Sequence, residues 1–182
     1  CDVRRAHRGE RRSGRAVIWR HLPSSGAVRR TRLGDHVAVH PKARCRVIRT
    51  ALAPHLDALI GFRRDIHAHP ELSFREFRTT DRIVAVLEEA GLHPRRLEGT
   101  GVVCEVGEGP LAVGLRADID ALPLDDLTGT DFVSTTPGVA HACGHDIHLS
   151  ALVGAGLALH DIHRSRPGGL GGTVRLIFQP AE

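Results

Sequence analysis

From Thr50 onward the hydrophobic and polar positions fall into regular patterns. Leu52, Leu56, Leu59, Ile60 and Ile66 recur at helical spacing, so residues 51–68 are expected to form an amphipathic helix. His69-Pro70 should end it, because the residue before proline is pushed out of the α region. A second helix is predicted from Arg78 to Ala90, with Ile83, Val84 and Leu87 inward and Gly91 as its stop. Val102 to Val106 and Leu111 to Leu115 have the apolar character of strands, joined by the turn Gly107-Glu108-Gly109-Pro110. Residues 118–140, rich in Asp, Thr, Gly and Pro, are expected to be a loop. A third helix should run from about Ile147 to His160, and a glycine-rich connection then leads to an apolar strand, Thr173 to Phe178.

Helices alternating with apolar strands favour a layered α/β fold with a buried sheet. In such sheets functional groups gather in the loops at strand ends. Two loops qualify, the one after Leu115 and the one after Phe178. No internal repeat is visible.

Residues 1–50 change this picture. They carry thirteen Arg and one Lys against three acids, a balance of +11, whereas residues 51–182 balance at −7. The net +4 and the pI near 9.4 are therefore set by the first fifty residues and say nothing about the folded part. No helical or strand period persists in 1–50, which predicts a disordered or non-native basic extension. A basic arm that binds polyanions is the alternative. An Arg-rich, acid-poor start also has the character of a transit peptide. Trp19 is the one aromatic residue there able to stack on a base, which argues against nucleic acid as a partner. The longest apolar stretch, Ala151 to Leu159, has nine residues and two glycines, too short to cross a bilayer. No membrane partner is expected, and the default compartment is cytoplasmic. The four cysteines have no framework spacing and are expected to be free thiols, with Cys104 in the core.

Three segments could carry chemistry. In His141-Ala142-Cys143-Gly144-His145-Asp146, alternate side chains of an extended stretch share one face, and Cys and His are ligands for Zn²⁺ or a similar ion. His148 lies one helical turn beyond His145, and Asp146 could hold an imidazole in place. The same spacing also suits a Cys–His nucleophilic pair, or a plain loop with surface histidines and a buried Cys. Asp118 and Asp120 form a second pair at period two, ordinary in a loop but suited to orienting ligands beside a dication. Glu182, at the end of Gln179-Pro180-Ala181-Glu182, would be a general base if a metal lay near it. A fourth stretch, Arg63 to Leu72, has only the pattern of a helix end with charged residues on its exposed face.

Four blocks, RRDIHAHPELSFREFRTT, GLRADIDALPL, GVAHACGHDIHLSALVGAGLAL and GTVRLIFQPAE, occur in this order from about Leu59 to Glu182. Together they resemble the metal-dependent amidohydrolases of the aminoacylase/carboxypeptidase superfamily, in particular the hippurate hydrolase and auxin-conjugate hydrolase branch. The resemblance implies an α/β/α zinc-peptidase-like catalytic domain, incomplete at its C-terminus, over residues 51–182. It implies two divalent ions, of Zn, Mn, Ni or Co, with Cys143 and His145 among their ligands. Asp120 would support the site, and Glu182 would be the general base. The implied reaction is amide hydrolysis of N-acyl amino acids. In the family a second glutamate, two further His ligands and a lid domain that mediates dimerisation follow. The resemblance therefore implies an inactive N-terminal fragment, with a homodimer expected for a full-length form alone.

Overall fold

A computed structural model describes residues 41–181, with side chains described from Cys45 onward. The expected extension up to residue 40 and the candidate base Glu182 lie outside the described residues. The elements are α1 (Pro41–Leu52), a 3-10 turn (Ala53–His55), α2 (Leu56–Ala68), α3 (Phe77–Glu89), β1 (Arg95–Arg96), β2 (Val102–Val106), β3 (Leu111–Asp118), α4 (His145–Ser165) and β4 (Thr173–Gln179). None of the helices in the described residues is long and apolar enough to cross a membrane.

Helical structure starts at Pro41, ten residues earlier than the pattern indicates, and the expected single helix over 51–68 is broken. Pro54 is the cause. It lies at the start of the 3-10 turn, where its missing N–H and fixed φ are tolerated only in a first turn. The break rotates the apolar stripe. Phe62 and Ile66 are buried, but Leu56 and Ile60 are 47% and 51% exposed and line an open groove with Phe132 and Ile147.

In α3, Ile83, Val84 and Leu87 are buried as expected, and Gly91 follows the helix at φ 83°. The N-terminus of α3 is capped from outside. The Glu71 carboxylate accepts from Arg78 N–H at 3.0 Å and Thr79 N–H at 2.7 Å, satisfying two of the free amides of the first turn.

The sheet order is β1-β2-β4-β3. The two strands joined by the Gly107–Pro110 turn are thus neighbours in sequence but not in the sheet, because β4 inserts between them. It pairs antiparallel with β2 and parallel with β3. Val102, Cys104 and Val106 lie opposite Phe178, Leu176 and Val174, and all six are buried beneath α3 and α4. The other face carries the Glu105–Arg175 ion pair. The expectation of a buried sheet fails for β3, whose first four residues are exposed. Among the described residues, helices cover one face of the sheet only.

The parallel pairing of β3 and β4 positions the site. Both strands finish at the same end of the sheet, with Asp118 opposite Gln179 and Ile119 N–H donating to Gln179 O at 3.1 Å. The α4 helix is the crossover between them. Its first residue therefore lies at the strand C-terminal ends, where this class of sheet gathers its chemistry.

Candidate metal centre

His145 opens α4, preceded by Gly144 in the left-handed region at φ 79°. Gly144 can hold this angle because it lacks a Cβ. Its carbonyl accepts from Ile147 and His148 N–H, so the chain enters the helix through a sharp bend. That bend separates the two expected ligands. Cys143 is exposed on the turn, and His145 is buried against the sheet end.

Asp120 holds the His145 ring. The Nδ1 of His145 lies 3.0 Å from Asp120 Oδ1 and 3.0 Å from its main-chain oxygen. Two acceptors at one nitrogen require Nδ1 to carry the hydrogen, which assigns Nε2 to any metal. A carboxylate behind an imidazole in this way fixes the ring and strengthens it as a ligand. Asp120 is itself anchored. Its Oδ2 accepts from Ser73 Oγ at 2.7 Å, and Ala121 N–H donates to Glu71 O at 2.8 Å. The segment Glu71–Ser73 thus braces the loop after β3. Asp118 points elsewhere and pairs with Arg116 at 2.5 Å. The two aspartates at period two are therefore separated in role, with one at the site and one in a partly exposed ion pair.

The remaining histidines of the segment divide in the same way. His148 is exposed, with its ring 6.0 Å from that of His145. His141 is buried, and neither of its ring nitrogens has a hydrogen-bond partner among the described residues. Burial pushes its pKa down to about 4, against the opposing pull of the Asp146 charge. Asp146 does fix an imidazole, but that of His67 on α2 and not one of its own segment. His67 Nδ1 lies 2.9 Å from Asp146 Oδ2.

His67 is the residue that sequence reasoning missed. It is buried where the pattern of residues 63–72 indicated an exposed charged face. Arg63 Nε reaches the same Asp146 oxygen at 2.7 Å, and His67 Nε2 lies 3.1 Å from Asp126 Oδ2. The sequence signals were its place in the first of the four family blocks and its i,i+4 spacing from Arg63, which is common on exposed helices.

No group of three or more His, Cys, Asp or Glu side chains is placed to hold a metal among the described residues. The donors that are present nonetheless fit a borderline divalent ion. They are an exposed thiol and an imidazole whose other nitrogen is fixed by a buried carboxylate, beside a buried histidine with unsatisfied nitrogens.

A mixed sheet with a parallel β3-α4-β4 unit, and a Cys/His/Asp constellation at its strand ends, defines the chain as part of an α/β metallopeptidase-like catalytic domain. Residues 114–182 match the family described as Peptidase family M20/M25/M40. The chain is 48% identical over 129 residues to N-acetyl-L-cysteine deacetylase of Bacillus subtilis, covering 68% of this chain and 30% of that protein. It is 41% identical over 128 residues to an IAA-amino acid hydrolase of Arabidopsis thaliana, covering 69% of this chain and 28% of the relative. A crystal structure of a Bacillus subtilis protein, described as a dinuclear metal binding peptidase from the M20 family, superimposes with a TM-score of 0.65 at 43% identity. That match covers 71% of this chain and 36% of the other. The chain is thus similar to the M20 peptidase family, and the matched part spans about a third of the length of these relatives.

Proposed function

We propose that this chain supplies the N-terminal part of a metal-dependent hydrolase that cleaves the amide bond of N-acyl amino acids. The observation that carries this reading is the Asp120–His145 pair beside the Cys143 thiol at the strand ends. The substrate class rests on similarity to a deacetylase of an N-acetyl amino acid and to an amino acid conjugate hydrolase.

In this proposal Cys143 and His145 are metal ligands, Asp120 is the residue that orients His145, and the ions are two, of Zn, Mn, Ni or Co. When bound, divalent ions polarise an amide carbonyl and acidify water. The protein's own residues do the rest. Asp120 keeps the hydrogen on His145 Nδ1. Gly144 lets the chain bend sharply between the thiol and the imidazole. Glu182, outside the described residues, accepts a proton from the attacking water and passes it to the departing amine. Asp146 and His67 are given no ligand role in this proposal.

Two measurements test this. Zn²⁺ or Co²⁺ affinity of the 182-residue chain is expected to fall at least about tenfold in Cys143→Ala and in His145→Ala, as for loss of a ligand. Unchanged affinity in both would refute the ligand assignment. Turnover is the second. With two ligands supplied by the described residues, the 182-residue chain with added Mn²⁺ or Zn²⁺ is expected to release amine from N-acetyl amino acids no faster than metal buffer. Robust release that Cys143→Ala abolishes would overturn that expectation.

A further inference from the structure

The network around His67 joins three parts of the molecule that are far apart in sequence. Its ring is 5% exposed and lies between two carboxylates whose side chains are 1% and 4% exposed. Asp146, on one side, is the second residue of α4. Asp126, on the other, belongs to the loop after β3. Both ring nitrogens lie within hydrogen-bond distance of a carboxylate oxygen, Nδ1 at 2.9 Å from Asp146 Oδ2 and Nε2 at 3.1 Å from Asp126 Oδ2. Arg63, one turn earlier on α2, reaches the same oxygen of Asp146. Arg63 and His67 therefore meet on one carboxylate oxygen.

Each carboxylate also organises what lies beyond it. Asp126 accepts Thr128 N–H and Ser134 N–H, each at 2.9 Å, which folds the loop around it. Thr135 returns to the end of α2, where its N–H and hydroxyl both donate to Ala68 O. Phe132 of the same loop packs edge-on against His67 at 5.3 Å and lies under the Arg63 guanidinium at 4.9 Å. Asp146 is the residue after His145. Consecutive residues of the first α4 turn are thus fixed to different elements, His145 to the loop after β3 through Asp120 and Asp146 to α2 through His67. With the core packing of Leu149 and Val153 behind it, the turn is thus held on both sides.

A buried ion-pair network contributes little net stability, because desolvation cancels much of the attraction, and its best-attested use is to fix register. We propose that His67 is a positioning residue of the metal site. It clamps α4 to the 126–135 loop and so sets the angle at which the Cys143–His145 turn presents its donors. The proposal rests on the metal-ligand assignment made above and adds to it a residue that touches neither metal nor substrate.

The test uses the full 182-residue chain and Cd²⁺ alone. Binding is followed by the thiolate-to-metal absorption that Cys143→Ser removes, alongside nitrogen-edited NMR of the backbone amides. In His67→Gln, Cd²⁺ affinity should fall about tenfold. The amide signals of residues 141–146 should move while those of Val102–Val106 stay in place. If His67→Gln does not fold, Asp126→Asn removes the second anchor and should produce the same pattern more weakly. Affinity within about twofold of the parent, with unmoved 141–146 amides, would overturn the proposal. If the parent shows no Cys143-dependent absorption, the ligand assignment fails, and the amide displacements still decide the role of His67.

Discussion

At Gly101 two distant parts of the chain pass within van der Waals contact. Its φ is 92°, and a Cβ placed there would lie 2.6 Å from Pro180 Cδ and 2.9 Å from the Phe178 carbonyl oxygen. Its N–H donates to Thr80 Oγ1 at 2.9 Å, so it cannot withdraw. Gly101→Ala should therefore cost about 2–4 kcal/mol, from backbone strain and overpacking together. Urea unfolding followed by circular dichroism measures it, and a loss below about 1 kcal/mol would show that Pro180 yields freely. The residue scale also shows what a sequence can carry. Cys143, His145 and Asp120 stood out through the family resemblance of their blocks, since by spacing alone an Asp pair is ordinary in a loop and the His/Cys run also suits a plain loop. The ordinary hydrogen-bond partners did not. Ser73 holds Asp120 from 47 positions away, and His67 holds Asp146 from 79. No local period encodes such a pairing, because it exists only once α2 has been laid against α4.

Among the elements, the periodic ones were legible and their edges were not. The spacing located α3 and β2 within a residue, since each buries one continuous stripe. It overran at Pro54, where an unbroken apolar count hides a change of helix axis. It also stopped short at α4, which begins at His145 and ends at Ser165, because polar ends add no apolar signal. The 126–135 loop has no period at all, yet it is held by one side chain. Ser134 N–H, with the Thr128 hydroxyl and N–H, keeps the Asp126 carboxyl well below its ordinary range, and the His67 charge adds to this. Below the ordinary carboxylate range the unfolded chain binds a proton at this position that the folded chain does not. Stability must then rise with pH through that window and be lost as pH falls through it. Acid unfolding monitored from pH 6 to pH 2 should show a steeper loss in the parent than in Asp126→Asn, whose side chain cannot titrate. Parallel acid limbs for the two proteins would exclude Asp126 as a contributor.

For the whole molecule, the decisive feature is the one that the turn between β2 and β3 concealed. Two strands joined by four residues suggest a hairpin, but β4 comes back between them and leaves β3 at the edge. Among the described residues β3 pairs with β4 alone, and Leu111 and Val113 are 52% and 45% exposed on it. The register shift between these two residues is the only irregularity along the edge. Edge strands usually resist pairing with other chains through charge, proline or covering segments, and here Arg116 and Asp118 guard only the far end. The relatives are about two to two and a half times as long and have further chain that could cover such an edge. The 182-residue chain on its own should therefore associate edge to edge. Sedimentation equilibrium is expected to give an average mass that rises with protein concentration. Val113→Lys, which places a charge on the exposed half of β3, should restore the monomer without changing the circular dichroism spectrum. A parent that stays monomeric at every concentration would mean that the bulge at Leu111–Val113 alone suffices to protect the edge.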